Sequence, residues 1–328
     1  MIVTVFDTHH FDRAAFEKQN AHLGHQLHYH STRLELKTAK LAAGSQGICA
    51  FVNDVLDRAT LTALHENGVR LIAMRCAGYN NVDLATARNL GLTVTRVPAY
   101  SPYAVAEHAV ALLLALNRKL HRAHNRVREA NFSLEGLVGF DLHGKTVGIV
   151  GTGKIGAVFA NIMAGFGCRL LAYDAFPNAE LPVTYVEAKQ LLAESDVISL
   201  HVPLLPETFH FLKAETIAQL KRGALIVNTS RGALIEAHAL IDGLKSGQVG
   251  GAALDVYEEE AGVFFHDLSG RVLQDDVLAR LISMPNVLIT SHQAFLTHEA
   301  LANIAQTTLE TVSAFERGNV PDEVLVKA

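Results

Sequence analysis

Cysteine is scarce: Cys49, Cys76 and Cys168 are the only three in 328 residues. They have no metal-ligand spacing, and no metal site is expected. An odd count of scattered thiols fits a reducing cytoplasm, with each thiol serving most simply as a small core residue. Charge of one sign is scarce as well. The 28 Lys and Arg against 33 Asp and Glu leave a formal net charge of −5, with no long block of either sign. That balance argues against nucleic acid or an anionic membrane as the main partner. No apolar run is long enough to span a bilayer; the longest in a helical setting, Ala104–Leu116, contains Glu107 and His108. The opening MIVTVFDTHHFD begins directly as a strand-like run, without a basic region, apolar h-region or cleavage site. No export signal is therefore expected, and the chain reads as cytoplasmic. Neither an internal repeat nor a low-complexity segment is visible. What is present is an ordinary enzyme balance, 49% hydrophobic and 19% charged, over a length sufficient for two full cores.

Short apolar runs alternate with helical patterns along the chain. Strands are expected at Ile2–Phe6, Gln26–Tyr29, Gly47–Val52, Leu71–Met74 and Thr93–Arg96, with helices at Phe11–Leu23, Thr60–Asn67 and Asp83–Leu90. Such alternation implies a parallel sheet covered on both faces. The loop from Arg75 to Asp83 suits a turn of exposed N–H groups able to hold a small anion, and Asp83 suits a helix cap. Pro98-Ala-Tyr100-Ser101-Pro102 breaks the pattern and opens a long helix, expected to run to about Glu129, with Ser101 as N-cap and Pro102 as its first residue. Its stripe Val105, Ala109, Leu112, Leu113 and Leu116 reads as core or as a subunit contact. Later strands are expected at Val147–Val150, Cys168–Tyr173, Val197–Val202, Ala224–Asn228, Gly251–Asp255 and Val287–Thr290. Helical patterns lie at Thr216–Lys221 and Glu236–Lys245, and a last helix, Thr297–Arg317, is expected to return to the first domain. The reading is α/β: two Rossmann-like or flavodoxin-like parallel-sheet domains with a cleft between them. Residues 1–100 plus 299–328 form one domain and 101–298 the other.

One stretch carries a specific chemistry. Val147–Val150 is followed by Gly151-Thr-Gly153-Lys154-Ile155-Gly156, a helical pattern, a second strand and Asp174. Gly151 permits the tight turn, Gly153 lets backbone approach a pyrophosphate, and Gly156 lets helix and strand pack closely. The helix N-terminus then offers unpaired N–H groups and partial positive charge. Asp174 can accept from a ribose 2′-hydroxyl and would repel a 2′-phosphate, so NAD is expected rather than NADP. The glycine pattern alone is often only a turn; strand, helix and acid around it are what lend it weight.

Polar residues gather at strand ends: His201-Val202-Pro203, Thr229-Ser230-Arg231, Asp255 through Glu260, and Ser291-His292. Open parallel sheets bind ligands there. A nicotinamide reaction on a 2-oxo acid needs a proton donor at the carbonyl and a cation for the carboxylate. His292 suits the first role and Arg231 the second. A carboxylate beside His292 would stabilise its imidazolium, and Glu258, Glu259 and Glu260 are each close enough in sequence to supply it. Each has an ordinary alternative as well. One histidine among 17 is more often structural, the acids could be a solvated loop, and Arg231 could be a surface residue.

Taken together these residues resemble the D-isomer-specific 2-hydroxyacid dehydrogenases, and within that family the fermentative D-lactate dehydrogenases of bacteria. The likeness spans essentially the whole chain through RCAGYNNVDL, VPAYSPYAVAEHAV, GTGKIG, ISLHVPL, VNTSRGALI, LDVYEEE and ITSHQAF. It implies reversible NADH-dependent reduction of pyruvate to D-lactate by a homodimer or homotetramer, with residues 1–100 plus 299–328 as the substrate (catalytic) domain and 101–298 as the NAD-binding Rossmann domain. By the same resemblance Arg231 holds the substrate carboxylate, and Glu260 partners the proton donor His292. Ile155, Asp174, Val202, Pro203, Thr208, Thr229, Ser230, Arg231 and Asp255 contact NAD alongside the glycine turn. Phe51, Ala77, Gly78, Tyr100 and Phe295 line the substrate. Two alternatives stay open: a reductase of a larger 2-oxo acid, and an NAD-sensing interaction protein like the corepressors of this fold.

Overall fold

The structure is a computed structural model that describes residues 1–260 and 262–326; Lys327 and Ala328, the end of the expected first-domain segment, lie outside the described residues. By contact the chain divides into two compact units, Met1–Ser101 with Leu296–Ala328, and Pro102–Phe295.

The first unit is built on five strands, β1 (Ile2–Val5), β2 (Gln26–Tyr29), β3 (Gly47–Ala50), β4 (Leu71–Met74) and β5 (Thr93–Arg96), in the order β2-β1-β3-β4-β5. Every pairing is parallel. β3 and β4 are buried along their whole length, as inner strands covered on both faces must be. The helices are α1 (His10–Asn20), α2 (Arg58–Glu66) and α3 (Leu84–Asn89), the last capped by Asp83, whose carboxylate accepts from Thr86 N. The terminal helix α11 (His298–Glu316) belongs to this unit and packs on α1 and β4. Ala305, Leu309 and Val312 of α11 share a core with Val3, Val5, Phe16, Cys49 and Leu71. The last described residues lie along β5: Arg96 N donates to Val324 O and Val326 N to Val94 O, so that edge of the sheet is not left bare.

The second unit holds seven strands, all parallel: β6 (Thr146–Val150), β7 (Arg169–Tyr173), β8 (Thr184–Tyr185), β9 (Val197–Leu200), β10 (Ala224–Asn228), β11 (Val249–Leu254) and β12 (Val287–Ile289). Their order, β12-β11-β10-β9-β6-β7-β8, reverses direction between β6 and β9. That reversal is the switch point where such sheets open a crevice beyond their carboxyl ends. β8 was not expected; two exposed or half-buried residues carry no apolar run to reveal them. The helix α7 (Ala188–Glu194) was likewise unanticipated. One sheet face is covered by α4 (Pro102–Asn117) and α6 (Lys154–Gly165), the other by α7, α8 (Ala214–Ile217), α9 (Ala237–Ser246) and α10 (Asp276–Ser283).

The expected helix to Glu129 is two helices. α4 ends at Asn117 and α5 (Leu120–Arg128) begins after Lys119, whose φ is +51°. The cause is tertiary. Buried Asn117 donates to Phe140 O at 2.8 Å and accepts from Phe140 N at 3.0 Å, which ties the segment after α5 across the end of α4. The stripe of α4 is core: Ala109, Leu112, Leu113 and Leu116 are buried against the sheet and α6, and Val105 is buried as well. Leu113→Ala is expected to lower unfolding stability by about 3 kcal/mol through the cavity it opens, read from the urea midpoint at constant slope. A change under about 0.5 kcal/mol would contradict that placement.

Candidate active site

The glycine turn sits at the switch point. β6 ends at Val150, and Gly151 takes φ = +93°, where an added Cβ would lie 2.7 Å from the His201 carbonyl oxygen. Gly153 is the N-cap of α6. A Cβ at Gly156 would overlap the carbonyl of Gly151, so turn and helix touch backbone to backbone. At Gly153, just before Lys154 and Ile155 in the first turn of α6, an added Cβ meets nothing within 4 Å. An N-terminus of this kind, with unpaired amides and no side chain over it, fits a pyrophosphate. Behind it His201 closes the wall. Burial pushes its pKa down to about 3, its Nε2 lies 2.8 Å from Ser199 Oγ, and its ring lies against Phe159.

Asp174 follows β7 directly. Its Oδ2 accepts from Thr152 N and, at 3.0 Å, from Thr152 Oγ1, and its Oδ1 accepts from Phe176 N at 2.8 Å. Val202 and Pro203 follow β9. Thr208 spends its hydroxyl on its own turn, donating to Pro203 O at 2.6 Å and accepting from Leu205 N at 2.8 Å. Thr229, Ser230 and Arg231 follow β10. Asn228 holds this turn by accepting from Ser230 N and donating to Arg231 O, while Ser230 Oγ donates to Leu200 O on the neighbouring strand. Arg231 donates one N–H to Ser230 O at 2.7 Å, and no carboxylate pairs with it among the described residues. That contrasts with Arg75 in the first unit, which is fully buried 3.6 Å from Asp12 and donates to Asp7 O. A guanidinium with no internal counter-ion can receive an external carboxylate in two parallel hydrogen bonds.

The three acids after Tyr257 separate cleanly. Glu258 pairs with His210 Nε2 and accepts from Ala237 N at the start of α9. Glu259 is exposed. Glu260 Oε1 lies 2.7 Å from His292 Nδ1, and its other oxygen accepts from Tyr257 N. The loop of Arg231 meets this acidic segment at Gly232, where any Cβ would overlap the backbone of Tyr257. With Nδ1 committed to Glu260, His292 has Nε2 for proton transfer.

His292 itself is strained, with φ = +54° in the left-handed region. Its surroundings hold it there. Asp255 is fully buried, and its carbonyl accepts from His292 N at 2.7 Å. The Asp255 carboxylate accepts from Thr290 Oγ1, from Gln293 N at 2.9 Å and from Ala294 N at 2.8 Å, with His108 Nε2 of α4 at 3.4 Å. Burial works to raise its pKa, but the hydrogen bonds from His108, Thr290 and the two amides outweigh it and keep Asp255 below the ordinary carboxylate range. Asp255 thus braces His292. His108, Thr290, His210 and Gly232 were not singled out from the sequence. No local pattern marks them: the hydrogen-bond partners of Thr290, His210 and His108 lie 35 to 182 residues away, and Gly232 meets Tyr257.

Phe295 ends this unit, buried. In the first unit Phe51, Ala77, Gly78 and Tyr100 follow β3, β4 and β5. The Arg75 guanidinium lies 4.5 Å over the Phe51 ring, Arg96 donates to Ala77 O, and Asn303 donates to Tyr100 O. The expected anion turn from Arg75 thus begins with a cation turned inward. No cluster of metal-binding side chains occurs among the described residues.

Asp255→Asn is expected to cost about 3 kcal/mol of stability at neutral pH, because an amide cannot accept from all these donors. The folded-state value is depressed, so the carboxylate's contribution is present above the ordinary carboxylate range and lost as pH falls below about 4. Urea unfolding of both proteins should therefore show a gap that narrows in acid; a gap independent of pH would sink this account.

Residues 110–294 match the D-isomer specific 2-hydroxyacid dehydrogenase, NAD binding domain. The chain is 51% identical over 329 residues to the D-lactate dehydrogenase of Escherichia coli (strain K12), covering 99% of this chain and all of that one. The apo-structure of D-lactate dehydrogenase from Escherichia coli superposes with a TM-score of 0.91 at 49% identity over 99% of this chain and 100% of that chain. The pyruvate reductase of Chlamydomonas reinhardtii superposes with a TM-score of 0.92 at 42% identity over 97% of each chain. With the glycine turn, the acid after β7 and the His292–Glu260 pair already in place, these likenesses settle the family: the chain belongs to the NAD-dependent D-isomer specific 2-hydroxyacid dehydrogenases.

Proposed function

We propose that this chain reduces pyruvate to D-lactate with NADH, reversibly. The observation that carries the reading is the contact between His292 Nδ1 and Glu260 Oε1, 2.7 Å, on a residue held in a strained backbone conformation. Arg231 receives the substrate carboxylate and draws density from the keto group. Gly151, Gly153, Lys154, Ile155, Gly156, Asp174, Val202, Pro203, Thr208, Thr229 and Ser230 hold NAD, which when bound supplies or accepts the hydride. His292 donates its Nε2 proton to the carbonyl oxygen as the carbon is reduced, and Glu260 stabilises the imidazolium until then. In the oxidative direction neutral His292 takes the proton from the hydroxyl. Phe51, Ala77, Gly78, Tyr100 and Phe295 belong to the same proposal as substrate contacts. The 2-oxo acid is favoured as pyruvate by the names of the relatives, among them a D-lactate dehydrogenase at 51% identity and a pyruvate reductase.

The working form is proposed as a homodimer or homotetramer. The support is on α5 and the segment after it rather than on α4. Leu120, Val127, Phe132, Leu134 and Val138 are large apolar side chains more than half exposed, more than a lone subunit ordinarily leaves in one stretch. A cytoplasmic setting is proposed on cysteine usage: no disulfide joins the cysteines, and burial pushes the Cys49 thiol up to about 12. No described helix is long and apolar enough to cross a membrane.

A panel of pyruvate, hydroxypyruvate, 2-oxoisocaproate and phenylpyruvate, followed by loss of NADH absorbance, tests the reading. Pyruvate should have the highest kcat/KM. Preference for a bulky acid would replace the substrate, and no turnover of any would favour a sensing role. Glu260→Gln should lower kcat/KM for pyruvate about 100-fold, because the imidazolium loses its carboxylate partner; a parent-like value would refute the pairing. Arg231→Lys loses the two-pronged clamp, and kcat/KM should drop about 100-fold, mainly through KM. A KM like that of the parent would remove Arg231 from the site.

A further inference from the structure

Tyr185 has no role in the account so far, and Thr152 only that of a donor to Asp174, yet the two meet at that acid. Tyr185 lies on β8 beside Ala172 of β7, two residues before Asp174. Its hydroxyl is 2.9 Å from Thr152 Oγ1 and 3.2 Å from Asn178 O, and accepts from Asn178 N at 2.8 Å. Thr152 is buried between Gly151 and Gly153, and its hydroxyl donates to Asp174 Oδ2 at 3.0 Å.

Counting donors gives the chain a direction. A threonine hydroxyl has one proton, and the contact with the carboxylate requires that proton to point at Asp174. The tyrosine proton then fills a lone pair of Thr152, and the Asn178 amide fills one of Tyr185. The result is a relay from Asn178 N through Tyr185 and Thr152 that ends on the carboxylate, each bond polarising the next. With Oδ2 accepting twice from Thr152 and Oδ1 once from Phe176 N, Asp174 is held in one rotamer. The acceptor capacity that remains is on Oδ1, enough for a ribose hydroxyl. A 2′-phosphate meets a fixed negative charge that cannot swing aside.

We propose that Tyr185 is a specificity-determining residue for the dinucleotide, acting through Thr152 to lock Asp174 against a 2′-phosphate. The proposal rests on Asp174 being the group that reads the ribose. Tyr185 touches neither ribose nor nicotinamide in this scheme; it is a positioning residue, and the two-residue strand β8 sets it beside β7.

The test measures binding as well as turnover. The chain has no tryptophan, so the emission of the reduced nicotinamide itself reports Kd for NADH and for NADPH. In Tyr185→Phe the ratio Kd(NADH)/Kd(NADPH) should rise about 3- to 10-fold, the worth of one or two hydrogen bonds, while kcat with NADH stays close to the parent value. Thr152→Val should move the ratio the same way, and Thr152→Ser, which keeps the hydroxyl, should restore it. A purely structural role would weaken both cofactors equally and leave the ratio unchanged, which would overturn the proposal. Asp174→Ala separates the two levels. If it relaxes the ratio and Tyr185→Phe does not, the relay fails while the ribose reading stands. If neither variant relaxes it, both fail.

Discussion

A single buried carboxylate organises the loop that carries His292. Asp255 has no exposed surface, yet it stays on the acidic side of the ordinary carboxylate range because donors from three places converge on it. In a low-dielectric interior such bonds are strong when complete and costly when broken. Two of the donors are successive amides just after His292, one is the hydroxyl just before it, and the fourth is a histidine on α4. Left to itself the backbone would avoid the left-handed conformation at residue 292. The convergence on Asp255 over-determines the loop and holds the strain, which is the condition under which such outliers persist at functional sites.

The same economy governs the second acid of the site. Asp174 is also an acceptor filled largely from within the protein, by Thr152 and Phe176. Both carboxylates are thus oriented by the fold before any ligand arrives. Orientation in advance spares the entropy of ordering side chains during binding and keeps the field of the site fixed. Arg231 is arranged in the opposite way. Its turn is pinned by Asn228 and Ser230, but its guanidinium has no carboxylate partner among the described residues, so its charge is available to an external one.

The family likeness and the physical reading support each other at different levels. The relatives establish a dehydrogenase fold and chemistry over nearly the whole chain. The geometry says which group of this chain does what: among three consecutive glutamates, Glu258 serves His210 and α9, and Glu260 serves His292. Spacing alone leaves three candidate acids; the resemblance points to Glu260, and the contact with His292 Nδ1 agrees.

Much of this protein is written in local pattern. β4 and β10 fall where the apolar runs place them, because a parallel strand buried on both faces is largely apolar. Gly151, Gly156 and Asp174 were legible for a similar reason: a turn at φ = +93° and a backbone contact with no room for Cβ admit only glycine, and an acid one strand later has few other uses. Other features arise only when distant segments meet. The break at Lys119 depends on Asn117 holding Phe140, β8 on pairing with β7, and the bracing of His292 on His108 and Asp255, 147 residues apart. Period and composition report what a residue needs from its own neighbourhood, and so the sequence by itself determined the buried strands and the glycine turn, while its whole motifs carried the family resemblance. Which acid meets which histidine, and which hydroxyl locks which carboxylate, was decided by the tertiary structure, because hydrogen bonds act over about 3 Å in space without regard to separation along the chain.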